Sequence, residues 1–146
     1  MNGDMDRKAC LRAAELVEQG HCKHAAARNA LGISVLPTDE TAESWCATGA
    51  IAKAYAEING EPIEWNIIRE RLSPAARQAR DILPWKRLKR SWCLPRWNNL
   101  PSTRPEQVAA FLRTTAEFIR PTKRSGARFR TSSSNAANAA ACLTDH

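Results

Sequence analysis

The stretch Thr38-Asp39-Glu40-Thr41-Ala42-Glu43-Ser44-Trp45-Cys46-Ala47-Thr48-Gly49-Ala50-Ile51-Ala52-Lys53-Ala54-Tyr55-Ala56-Glu57-Ile58 decides the fold. Thr38 and Asp39 are capping residues, and acids stand in the first turn, where the helix dipole favours negative charge. Asn59-Gly60 supplies a stop, so the pattern predicts a helix over 40–58. Within it Ala42, Trp45, Cys46, Gly49, Ala50 and Ala54 recur on one stripe at helical spacing. Apart from the Trp45 indole that stripe is small, which predicts another helix lying unusually close.

Upstream, residues 5–19 read as an amphipathic helix, with Gly20 placed to end it in a left-handed conformation. Residues 22–30 continue in helical composition until Gly32, and Ile33-Ser34-Val35-Leu36-Pro37 reads as an extended connector or an edge strand lacking an evident partner. Downstream, Pro62 opens a helix to about Leu72. Ser73-Pro74 then caps a separate helix to about Leu83, ended by Pro84, and residues 85–101 are irregular. Thr103-Arg104-Pro105-Glu106 forms a capping box for a last helix over 104–120, lined by Val108, Phe111, Leu112, Thr115 and Ile119. The predicted architecture is all-α: one compact bundle of five or six short helices over 5–120. A basic Ser/Ala-rich tail at 121–146 is expected to be disordered, because it has almost no large apolar residues to offset the cost of ordering.

The chain has 146 residues, 43% hydrophobic and 25% charged, enough for one core without disulfide staples. No apolar run reaches membrane-spanning or leader-peptide character, so a cytoplasmic protein without a membrane partner is expected. Five cysteines, an odd number at irregular spacing, indicate neither a disulfide framework nor a zinc finger. Charge is unevenly spread: residues 1–66 carry 6 Lys and Arg against 10 Asp and Glu, while residues 67–146 carry 16 against 5. That excess suits a polyanionic partner such as nucleic acid, or attraction between the two parts of the fold.

Residues 45–50 read Trp45-Cys46-Ala47-Thr48-Gly49-Ala50, and a later element reads Trp97-Asn98-Asn99 before Arg104-Pro105-Glu106-Gln107-Val108. With these elements the chain resembles, from about Asp6 to Arg120, a bacterial and phage family known as domain of unknown function 6197. That family is marked by Trp-Cys-x-x-Gly-Ala and a downstream Trp-Asn-Asp. Asn99 stands where the family usually has Asp, and Pro105 where it has Thr, so a ligand or base at that Asp would be lost here. The resemblance implies a fold and no activity.

Trp45, Cys46, Gly49 and Ala50 are read as packing residues, since a thiol inside a helix lacks the surroundings that activate it. In His21-Cys22-Lys23-His24 the histidines have i, i+3 spacing but too few further ligands, so no metal is expected. Trp97 and Asn98 are expected to pin their loop, with Asn98 and Asn99 at the mouth of a groove in the functional reading. Lys86, Arg87, Lys89, Arg90 and Arg96 interleave with Trp85, Trp92 and Trp97, a composition that suits a single-stranded nucleic-acid surface. Paired carboxylates, a Ser/His/Asp set and G-x-G spacing are missing, so no catalytic residue and no cofactor are expected. The leading expectation is a non-enzymatic interaction or accessory module of a bacterium, phage or mobile element with a protein partner. The alternative is a nucleic-acid-associated protein using residues 85–97 and the basic tail.

Overall fold

The computed structural model describes residues 3–120; the expected tail at 121–146 lies outside the described residues. Six helices and three short strands follow the order α1 (Gly3–Gln19), β1 (Ala27–Asn29), β2 (Ser34–Val35), β3 (Ala42–Trp45), α2 (Ala47–Asn59), α3 (Trp65–Ile82), α4 (Lys86–Ser91), α5 (Leu94–Asn99) and α6 (Pro105–Glu117). The fold is therefore mostly helical and not all-α. Its sheet is antiparallel, with strand order β2-β1-β3 and a register shift between Arg28 and Asn29.

The core forms where α1 packs against both α2 and α6, and α3 packs on α6. On α1 the buried face is small, made of Ala9, Cys10, Ala13, Ala14, Leu16 and Val17. Small side chains let the axes come close. α6 returns Val108, Phe111, Leu112 and Thr115 to the interior, at the helical spacing predicted from the sequence.

Residues 22–30 are not helical. The turn after β1 is written in its side chains: Asn29 Oδ1 accepts from the Leu31 and Ile33 amides at 2.9 and 3.0 Å, and Gly32 takes φ +80°. An Asx turn followed by a left-handed glycine folds the chain back, giving β2 its partner in β1.

The helix predicted over 40–58 begins seven residues later. Asp39 does cap, its carboxylate accepting from the Thr41 amide at 2.7 Å, yet a turn follows, with Ala42 N bonding to Asp39 O at 3.1 Å. β3 then forms by antiparallel pairing with β1, Ala27 opposite Trp45, and Trp45 N also donates to Gly20 O while Trp45 O accepts from Cys22 N, at 3.0 and 3.2 Å. The stripe from Ala42 to Ala54 is thus split between a strand, a cap and a helix. Gly60 ends α2 in the left-handed conformation, φ 85°, as the Asn59-Gly60 stop predicts.

Four further readings differ. Gly20 is not left-handed; a Cβ there would lie 2.2 Å from the Glu43 carbonyl oxygen, so close approach of β3 selects glycine. α3 runs unbroken through Pro74, where the buried Ser73 hydroxyl donates to Arg69 O at 2.5 Å on the interrupted turn. Residues 85–101 hold α4 and α5. α6 starts one residue later than the predicted box, with Arg104 at the cap and Gln107 Oε1 accepting the Arg104 amide at 2.9 Å, while Thr103 is buried.

Candidate functional site

Asn98 stands at the junction of the fold. Its side chain comes from α5, is fully buried, and has every hydrogen-bonding position filled. Oδ1 accepts from Ala47 N at the start of α2 at 3.0 Å and meets His21 Nε2 at 2.7 Å. Nδ2 donates to Cys22 O at 3.1 Å and to Asn99 Oδ1 at 3.2 Å. Because Oδ1 is the acceptor, His21 Nε2 must carry the proton and donate. Burial lowers the pKa of His21 from its ordinary value, with the Asn98 bond opposing that shift.

Asn99 extends the grip: its Oδ1 also accepts from His24 N at 2.9 Å. His24 takes a left-handed φ of 63°, unusual for a residue other than glycine. The Lys23 ammonium completes the clasp on the Leu100 carbonyl. The segment His21–His24 is therefore held to α5 as a structural clamp, and the amides are used up in holding it. This arrangement is not the helical continuation that the composition of residues 22–30 suggests.

Cys46 does not lie inside a helix on an apolar stripe. It is the N-cap of α2; its Sγ accepts from Gly49 N and contacts Thr48 Oγ1, both at 3.2 Å. A Cβ on Gly49 would come 1.9 Å from Ala26 O, so the predicted close approach is real, but it is to the backbone leading into β1 and not to another helix. Ala50 is fully buried in the core, and Trp45 is buried with its indole N–H donating to Pro37 O at 3.0 Å. Around the clamp lies a pocket of about 220 Å³ lined by His24, Ala25, Ala26, Cys46, Pro95, Asn98 and Asn99. The 45–50 box and the 97–99 element thus meet in space. The described cysteines, Cys10, Cys22, Cys46 and Cys93, are buried.

The remaining named residues lie apart from this pocket. Trp97 is 2% exposed, stacks on Trp85 at 5.8 Å between centroids and meets Phe111 edge-on at 5.7 Å. Trp92 tilts against Phe111 at 6.2 Å, with the Arg80 guanidinium 4.7 Å over its ring. Lys86, Arg87, Lys89, Arg90 and Arg96 are exposed. Sequence reasoning missed the hairpin tip: Leu31 is 82% exposed, Ile33 56% and Leu36 73%, flanking the edge strand β2. Reading Ile33 to Pro37 as an extended connector or an edge strand anticipates β2 but not its partner; the Asn29–Gly32 turn was the signal available.

Among the described residues no helix is long and apolar enough to cross a membrane, and no group of three or more His, Cys, Asp or Glu is placed to hold a metal. A family model described as a family of unknown function (DUF6197) matches residues 3–118, and the chain belongs to that family. No curated protein and no solved structure matches it.

Proposed function

We propose that the chain is a non-enzymatic interaction module whose protein partner adds an extended, apolar segment along β2. The observation that carries this reading is the exposure of Leu31, Ile33 and Leu36 beside the edge of the sheet. Water-facing leucines cost free energy that a partner would recover, and an edge strand offers unpaired amides and carbonyls to a new strand. Two features support the non-enzymatic part. The Cys46 thiol bonds to Thr48 and Gly49, and neither supplies a base; His21 is engaged by Asn98. The groove expected at Asn98 is set aside, because that amide has no bond left to offer a partner.

Selection of short random peptides against the full chain tests the reading. Binders are expected to alternate apolar and polar residues and to lose affinity at least tenfold on a Leu31→Ser, Ile33→Ser, Leu36→Ser variant. Binders that hold the variant as tightly as the parent would remove this reading.

One specific observation favours a second reading, that of a nucleic-acid-associated protein: Lys86, Arg87, Lys89 and Arg90 stand exposed on α4, and no ion pair engages them among the described residues.

A further inference from the structure

The burial of one leucine sets the geometry of α4. Leu88 is fully buried and is the buried residue of that helix. At about 100° per residue, Lys86, Arg87, Lys89 and Arg90 then fall within an arc of roughly 160° centred opposite Leu88. Seating Leu88 in the core therefore turns all four cations outward together. No carboxylate occurs in the sequence between Asp81 and Glu106 to neutralise them.

The indoles that would complete a single-strand surface are occupied elsewhere. Trp97 is buried between Trp85 and Phe111, and Trp92 is packed by Phe111 and Arg80. A single strand is held by cations together with aromatic faces on which its bases stack. Here Trp97 offers no face, and Trp85 and Trp92 are half-buried with their rings already packed on Trp97 and on Phe111 and Arg80, so the cations stand more open than the faces. A duplex keeps its bases stacked on one another and displays about one phosphate charge per 1.7 Å of axis, so a helix of about 9 Å can face several at once.

We propose, resting on the second reading above, that α4 docks on the phosphate backbone of a nucleic-acid duplex, without regard to base sequence and without stacking. This departs from the single-stranded surface suggested by the sequence composition.

The test uses the full chain, a fluorescent DNA duplex and one of its strands, with anisotropy measured between 50 and 200 mM salt. The duplex is expected to bind at least as tightly as the strand, with tryptophan emission unquenched. Four phosphate contacts contribute a slope of about −3.6 in log K against log salt, roughly a hundredfold fall over that range. A Lys86→Glu, Arg87→Glu, Lys89→Glu, Arg90→Glu variant should lose that part of the slope, and a Lys86→Gln, Arg87→Gln pair about half of it. A strand preferred over the duplex with quenched indoles, or charge variants with the parent's slope, would overturn duplex docking while leaving nucleic-acid association standing. Absence of binding to either probe at 50 mM salt would remove the reading itself, as would retention on phosphatidylserine vesicles without duplex binding.

Discussion

Asn98 illustrates how much one side chain can decide. Its four bonds join the turn after α1, the start of α2 and α5, so Asn98→Ala strands the Ala47 amide and the Cys22 carbonyl in the interior. The expected cost is about 3 kcal/mol, read from urea denaturation. Asn99→Asp, by contrast, keeps an oxygen acceptor for His24 N and Asn98 Nδ2, and stability within about 0.5 kcal/mol of the parent is expected. Cys46 acts as a cap: Cys46→Ser should retain the bond from Gly49 N, whereas Cys46→Ala should cost about 1 kcal/mol. Equal stability of the two variants would contradict that role. Gly49→Ala drives a methyl into the Ala26 carbonyl and should cost roughly 2 kcal/mol or more, measured in the same way. The need for glycine at 49 was legible in its small neighbours. Its partner was not, because a backbone carbonyl from residue 26 leaves no trace in the local pattern.

Between helices, the ties are charged and start from α1. Asp6 is buried; its carboxylate accepts from Tyr55 OH at 2.7 Å and from Arg71 at 2.7 to 3.1 Å, linking α1, α2 and α3. Removing the carboxylate leaves a hydroxyl and a half-buried guanidinium unpaired, so Asp6→Ala is expected to lower unfolding free energy by about 3 kcal/mol. Exposed pairs, Arg12 with Glu57 at 2.8 Å and Arg113 with Glu18 at 2.5 Å, tie α1 to α2 and α6. Pairs of that kind contribute little each. The helices themselves were readable: α1, the body of α2 and the inward face of α6 follow apolar periodicity, and Gly60 marks a stop wherever it is placed. Of the strands only β2 was legible, as the edge-strand reading of 33–37, because two to four residues are too short to show alternation, and helical composition around residues 22–30 and 42–45 pointed the other way.

Taken together, the packing gives the protein a defined response to alkali. Burial, then the charge of Asp6, pushes the Cys10 thiol from 9.0 up to about 12, and burial followed by Asp6 also raises Tyr55. Raised values favour the protonated forms in the folded state, so this contribution is complete below pH 9 and is lost as pH rises through the shifted values. Thermal melts from pH 8 to 12 should show the loss, and Cys10→Ala should reduce its slope by up to ~1.4 kcal/mol per pH unit. An unchanged slope would mean that Cys10 ionises freely. Deleting residues 122–146, beyond both the described core and the family match, is expected to leave Tm within about 1 °C. Composition and spacing were sufficient for a mostly helical fold with its cations gathered late in the chain, because charge and periodicity are properties of neighbours in sequence. Whether residues 42–45 would extend or coil, and hence whether Cys46 would pack on a helix or cap one, depended on Gly20, Cys22 and Ala27 arriving from elsewhere to bond their backbone. Long-range hydrogen bonding settled that choice against local propensity, and no window on the sequence contains it.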